Sequence, residues 1–317
     1  MPSTKTGVSW GVPFEKGQFK PAQQFVLTDE NGKEVPHQTW PLAFWPDGSL
    51  KWLAFAAVVP SSDHFFFEPV KKTVSQPKGI VTEQKSGFVN IDNGLFKCVI
   101  PQKGNSLYQK ISIGDMVISE NARLVCTFEN RENEAERMIR FDDYESRIDK
   151  AELEQSGPVR AVVKLIGVHY SKEKNRELLP FTVRLYFFAG ISEIRMVHSF
   201  VFDGHQERDF VKSLGVVFDV PLREQHHNRH IRFSGQNAGL WSESVKPLSG
   251  RYPFVFNGDR SLPRKQFAGE AMPDIDSTDV AALTHFNNFP SWDDYKLTQL
   301  NPNGFSISKR TNHKSAW

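Results

Sequence analysis

Phe88-Val89-Asn90-Ile91-Asp92-Asn93-Gly94-Leu95-Phe96-Lys97-Cys98-Val99-Ile100 is the stretch whose reading decides the fold. Two β-favouring runs flank an Asn-Gly pair, which is the strongest short-range signal for a hairpin. The spacing predicts a strand over 88–91, a turn over 92–94 and a second strand over 95–100. Outward from it, turn pairs recur at Asn31-Gly32, Asp47-Gly48, Asp203-Gly204, Asn257-Gly258 and Asn303-Gly304. Three longer runs, 159–168, 181–188 and 193–202, read as long paired strands. Arg160, Arg184 and Arg195 each interrupt one of them, and side chains alternate between faces along a strand. The three arginines therefore line one face of a large sheet or alternate into solvent. No long segment carries apolar residues at i, i+3, i+4 and i+7, so helices are not expected. Residues 257–280, rich in Asp, Pro and Gly, read as loop.

The expected class is all-β. The polar, turn-rich stretch Val70-Lys71-Lys72-Thr73-Val74-Ser75-Gln76-Pro77-Lys78-Gly79 separates a small β unit from a segment long enough for a large antiparallel β-sandwich. The division is placed at 1–82 and 83–317.

Composition excludes several classes. The 317 residues carry a net charge of +2, and a nucleic-acid binder needs a concentrated basic footprint. No apolar run approaches the length of a membrane span. The 26 Phe and 7 Trp suit thick β cores, and a Trp in a loop also suits the face of a sugar. Cys98 and Cys126 form neither a disulfide framework nor a metal-ligand spacing, so no metal and no cofactor are expected. The start, Met1-Pro2-Ser3-Thr4-Lys5, has no apolar h-region. The expectation is a cytoplasmic chain, or an exported one already processed. Asp203, Glu207 and Asp209 crowd one turn, which reads as solvated acid or as a calcium site. His198 alternates with Ile194, Met196 and Phe200 and reads as a hydrogen-bonded core histidine.

Three segments resemble the exo-rhamnogalacturonan lyases of polysaccharide lyase family 26. The first joins Val8-Ser9-Trp10-Gly11-Val12-Pro13-Phe14-Glu15-Lys16-Gly17 to Gln38-Thr39-Trp40-Pro41-Leu42-Ala43-Phe44-Trp45-Pro46-Asp47-Gly48-Ser49-Leu50-Lys51-Trp52 and is similar to the family's N-terminal barrel-like domain. The second runs from Asp203-Gly204 through Asn228-Arg229-His230-Ile231-Arg232-Phe233 to Gly239-Leu240-Trp241. The third is Gly304-Phe305-Ser306-Ile307-Ser308-Lys309-Arg310-Thr311. Both resemble the central β domain. The resemblance implies a barrel-like domain followed by a super-sandwich, and a C-terminal α/α toroid beyond Trp317, so the chain reads as truncated. Trp40, Trp45 and Trp52 are expected to cluster where strands meet, as a structural corner or a sugar platform.

The implied reaction is β-elimination at C4 of a uronate within a uronic-acid/rhamnose polymer, with an acidic polysaccharide as partner. It needs a cation to neutralise the carboxylate, a base for the C5 proton and an acid for the departing O4. The densest basic stretch, Gln225-His226-His227-Asn228-Arg229-His230-Ile231-Arg232, supplies candidates. On a strand His230 and Arg232 share a face. An imidazole titrates near neutrality and suits base or acid, and a guanidinium clamps a carboxylate bidentately. Tyr252 is the candidate general acid. Arg229, Trp241, Arg251, Lys309 and Arg310 complete the expected sugar-binding set, with at most one of the adjacent Lys309 and Arg310 facing the site. A glycoside hydrolase, which needs two carboxylates facing one cleft, and a non-catalytic carbohydrate-binding module are the competing readings.

Overall fold

The structure, a computed structural model, describes residues 5–60, 64–70, 79–85, 87–131, 139–224, 228–234, 240–244, 261–271, 294–301 and 304–310. It is almost entirely β and divides into two compact units, Met1–Pro221 and Leu222–Trp317. Among the described residues no helix is long and apolar enough to cross a membrane.

The first unit opens with five strands: β1 (Lys5–Pro13), β2 (Gln24–Asp29), β3 (His37–Phe44), β4 (Leu50–Pro60) and β5 (Phe65–Val70). β4 lies between β1 and β3, and β2 pairs with β5, all antiparallel. Their shared core is aromatic. Phe14, Phe25 and Phe55 are buried, and Phe14 stacks on Phe25 with centroids 5.5 Å apart. The three tryptophans expected to cluster go separate ways. Trp45 donates Nε1–H to the Phe14 carbonyl at 3.0 Å, Trp52 packs near Gly11, and Trp40 lies under the Arg160 guanidinium at 4.2 Å. The Pro46-Asp47-Gly48 turn is held by Asp47, which accepts from the Ser49 amide and hydroxyl.

The second sheet has ten strands. Nine follow chain order: β6 (Val81–Lys85), β7 (Phe88–Asp92), β8 (Lys97–Pro101), β9 (Tyr108–Ile113), β10 (Met116–Asn130), β11 (Arg140–Gln155), β12 (Arg160–Ser171), β13 (Arg176–Phe188) and β14 (Ile194–Phe200). The tenth, β15 (Asp209–Asp219), pairs along the second half of β10, whose first half pairs with β9. Successive antiparallel neighbours are what short turns permit. The inner faces of both wings of this sheet supply one core, from Val89, Cys98 and Ile100 to Val163, Leu165, Val183 and Phe187. The sheet is thus bent over itself into a sandwich.

The predicted hairpin is present but wider than the Asn-Gly pair implies. Asp92 pairs with Lys97, so Leu95 and Phe96 belong to the connection and not to the second strand. The cause is Asn93. Its buried side chain accepts from the Leu95 and Phe96 amides and donates to the Phe188 and Ile191 carbonyls. A tight two-residue turn is given up to staple this end of the hairpin to the β13–β14 connection. Arg160, Arg184 and Arg195 do share one face, because Arg160 pairs with Phe188, Arg184 with Lys164, and Arg195 with Tyr186. They are engaged there: Arg184 with Glu154 at 2.7 Å, and Arg160 with Gln155 and Ser9. The opening strands also join this sheet through Gln38, whose Oε1 accepts from the Arg160 amide at 2.9 Å.

Among its described residues the second unit holds two hairpins, β16 (His230–Ser234) with β17 (Leu240–Ser244) and β18 (Asp294–Asn301) with β19 (Gly304–Arg310), and one helix, α1 (Leu262–Ala268), where the composition reads as loop. Proline in the first turn suits a helix start, since its missing amide has no intrahelical partner there, and Gly269 ends the helix in the left-handed region at φ 82°. Seven residues are too few for an apolar period to emerge from the sequence.

Candidate functional site

Strand alternation places His230 and Arg232 on one face of β16, as expected. Both meet the end of α1. His230 Nε2 lies 2.8 Å from the Gln266 carbonyl and Nδ1 lies 3.3 Å from the Asn228 carbonyl. Arg232 is exposed, and its Nη2 is 2.7 Å from the point where a Cβ on Gly269 would sit. The bare glycine backbone is therefore what lets the guanidinium approach. Arg229 donates Nε–H to the Glu224 carbonyl. Trp241 pairs in register with Phe233, Lys309 with Tyr295, and Arg310 with Asp294. Tyr252 and Arg251, with His226 and His227, lie outside the described residues.

A second constellation lies at one end of the large sheet, and of its residues the sequence singled out Asp209 alone, in the acidic 203–209 turn. Four segments converge there: the end of β10, the start of β11, the β12–β13 turn and the start of β15. They enclose a cleft of about 390 Å³ lined by Asn130, Arg140, Asp142, Lys174, Arg176, Arg208 and Asp209. Register explains the convergence, since Asn130 pairs with Arg140 on one side and with Asp209 on the other. Beneath the cleft lies an apolar cluster of Cys126, Phe128, Tyr144, Leu178 and Leu179.

The carboxylates are deep and the cations shallow. The side chains of Asp142 and Asp209 are 5% and 3% exposed, while Arg140, Lys174 and Arg208 are exposed. Arg176 grips Asp209 bidentately at 2.9 and 2.6 Å, and the His205 amide donates to the same carboxylate at 2.7 Å. Burial alone pushes the Asp209 carboxyl up. Arg176, the His205 amide and Arg208 outweigh it and hold the group below the usual carboxylate range. Asp142 accepts from Asn130 at 3.1 Å and meets Lys174 at 3.3 Å. Burial pushes the Tyr144 phenol up. Arg176 opposes that push, and Asp142 and Asp209 add to it.

These contacts correct the reading of the 203–209 turn as solvated acid at Asp209, while Asp203 and Glu207 are exposed as that reading expects. Asp209 is buried against Arg176, and Asp203 accepts from the Leu179 amide at 2.7 Å. That bond helps hold Leu179 at φ 50°, a strained backbone position for a side chain of this size. Among the described residues no group of three or more His, Cys, Asp and Glu could hold a metal.

His198 also differs from its expected hydrogen-bonded state. Among the described residues its Nε2 has no partner, and neither has that of His169. The two ring centroids lie 5.6 Å apart with the planes tilted by 47°, and Phe181 and Phe200 lie beside His198. Burial, with His169 adding to it, pushes the His198 imidazole down to about 4. His169, which gave no sequence signal, places Nδ1 2.9 Å from the Leu179 carbonyl and is lowered by burial.

Comparison with known proteins accounts for the whole architecture. Residues 1–68 match the PcRGLX-like N-terminal RIFT barrel domain, and residues 80–317 match the PcRGLX-like protein central beta sandwich domain. Over 320 aligned residues the chain is 36% identical to the uncharacterized protein YetA of Bacillus subtilis (strain 168). The alignment covers 100% of this chain and 37% of that relative, so the chain spans little more than a third of the relative's length. A barrel domain and a bent antiparallel sandwich, matched in the same order and over nearly every residue, make this chain a member of the PcRGLX-like family, which is related to the rhamnogalacturonan lyases.

Proposed function

We propose that the chain forms the barrel and sandwich portion of a polysaccharide lyase that cleaves a uronic-acid/rhamnose polymer by β-elimination, acting from chain ends. The observation that carries this reading is the pairing of His230 and Arg232 on one face of β16, within the domain matched to the central sandwich of a lyase-related family.

In this reading Arg232 neutralises the uronate carboxylate, so that negative charge developing on loss of the C5 proton is tolerated. His230 is half-buried on the same face, and it moves that proton by exchanging a ring-nitrogen contact with a backbone carbonyl for the substrate. Tyr252 delivers a proton to the departing O4. Arg229, Trp241, Arg251, Lys309 and Arg310 hold neighbouring sugars. The electron pair left by the C5 proton forms the C4–C5 double bond as the C4–O4 bond breaks, so no water is consumed.

Hydrolysis is the second reading with an observation in its favour, because Asp142 and Asp209 face one cleft. A hydrolase sets one raised carboxyl beside one ionised carboxylate; here Arg176 keeps Asp209 ionised, and Asp142 faces the Lys174 ammonium at 3.3 Å, so neither is placed as the acid. The lyase is therefore the better reading.

The test is direct. This chain, and separately the Bacillus relative, is incubated with rhamnogalacturonan I while the absorbance of the unsaturated uronate is followed. Elimination gives rising absorbance in step with new reducing ends. Reducing ends without that absorbance would establish hydrolysis, and binding with neither would reduce the chain to a carbohydrate-binding module.

A further inference from the structure

Asparagine followed by glycine is open to attack by its own backbone. The glycine amide nitrogen adds to the asparagine Cγ and closes a five-membered imide, and glycine has no side chain to obstruct the approach. The described residues hold two such pairs complete, Asn31-Gly32 and Asn93-Gly94. Both glycines lie in the left-handed region, at φ 74° and 89°, and beyond their chain neighbours nothing lies within 4 Å of where a Cβ would sit on either. The glycines are alike, and the difference lies in the asparagines.

Asn93 is 2% exposed. Its Oδ1 accepts from the Leu95 and Phe96 amides, each at 3.0 Å, and its Nδ2 donates to the Phe188 and Ile191 carbonyls at 3.0 and 2.7 Å. The nucleophile is held as well, since the Gly94 amide donates to Asp92 Oδ1 at 3.0 Å. Turning Cγ towards that nitrogen breaks all of these bonds. Asn31 is exposed, in the turn that follows β2. Its backbone amide donates to Asp29 Oδ1 at 3.0 Å, but among the described residues its carboxamide has no hydrogen-bond partner. The Gly32 amide donates to the Asp29 carbonyl at 3.0 Å, so a single backbone bond at an exposed turn holds the nucleophile back.

We propose that Asn31 is a site of spontaneous covalent modification, and that the hydrogen bonds around Asn93 shield the same dipeptide from it. The Gly32 nitrogen bonds to Asn31 Cγ and gives up its proton, the Cγ–Nδ2 bond breaks, and Nδ2 leaves as ammonia. Water then opens the imide at either carbonyl. One opening leaves an aspartate, and the other an isoaspartyl link that carries the backbone through Cγ. No electrons are transferred, and solvent water is the sole co-reactant. Either product adds a carboxylate to a turn that already carries Asp29 and Glu30. At Asn93 the same conversion would set a carboxylate against the Phe188 and Ile191 carbonyls, which can only accept. Shielding Asn93 therefore preserves the join between the β7–β8 and β13–β14 connections.

The test is peptide mapping by mass spectrometry of the 317-residue chain held at mildly alkaline pH, both native and in guanidinium chloride, beside a synthetic peptide of residues 26–36. The exchange of amide for acid is followed at each asparagine. Native Asn31 converts within about tenfold of the peptide's rate, the most that one exposed backbone bond is worth. Native Asn93 converts at least about a hundredfold more slowly than Asn31, because several such bonds must break together. In denaturant the gap closes. Three results would overturn the proposal: a native Asn31 that stays an amide while the peptide converts, a native Asn93 that keeps pace with Asn31, or a gap that survives denaturation. No substrate enters the measurement, so its outcome is independent of the lyase reading.

Discussion

Cations gather at two places in this chain, and the partners they meet differ. In the cleft of the first unit, Arg176 and Lys174 meet carboxylates that are almost wholly buried. In the second unit, Arg229 and His230 meet backbone carbonyls, and Arg232 is exposed against a glycine. A buried charge that loses its partner is left in a medium that cannot solvate it, whereas an exposed one returns to water. The same residue types therefore neutralise buried charge in the first place, whereas in the second they meet backbone groups and solvent.

Removing Arg176 should show the largest effect. Arg176→Met leaves Asp209 without its bidentate partner, with the His205 amide and the Arg208 charge remaining, and is expected to cost about 3 kcal/mol in chemical denaturation. A loss below about 1 kcal/mol, typical of a surface pair, would erase the contrast between the two places.

The paired histidines sharpen the comparison from inside the first unit, because here no acid compensates burial. His198 is held near 4 in the folded chain, below its ordinary 6.5. The unfolded chain therefore takes up the proton first as pH falls, and stability drops across the window from about 6.5 to about 4. A shift of this size is worth about 3 kcal/mol at most, and about 2 kcal/mol with screening for partial exposure. Denaturation midpoints measured at pH 7 and pH 4.5 check it, and His198→Phe should flatten the difference. A wild-type midpoint that rises on acidification would contradict the geometry.

The smallest effect belongs to Arg232→Met. Its exposed side chain should cost less than about 0.5 kcal/mol, the usual range for surface changes. A larger loss would make Arg232 part of the scaffold that holds Gly269 and the end of α1.

How much of this was legible in the sequence depended on the range over which each signal acts. The all-β class, the 88–100 hairpin and the three long strand runs rest on alternation and turn residues within a few positions, and the strands appear where those signals fall. The width of the hairpin did not show, because Asn93 acts on Phe188 and Ile191 about a hundred residues away. The basic stretch at 225–232 stood out because its charges are consecutive. The cleft did not, because Asn130, Asp142, Lys174 and Asp209 meet only through β-sheet register. Asp209 read as one of three solvated acids, since nothing nearby announces Arg176 on a different hairpin. Lys174 and Arg176 flank Asn175, a turn residue at φ 46°, and that pattern is the one local hint that the tip of the β12–β13 hairpin carries charge to a shared point.

The initial rate of unsaturated-uronate formation from rhamnogalacturonan I, compared between the wild-type chain and His230→Ala, tests the central claim most directly. With the denaturation midpoint unchanged, the account predicts a fall of about a hundredfold or more, the scale of a lost proton-transfer group. Near-normal turnover by a folded His230→Ala chain would remove β16 from the chemistry.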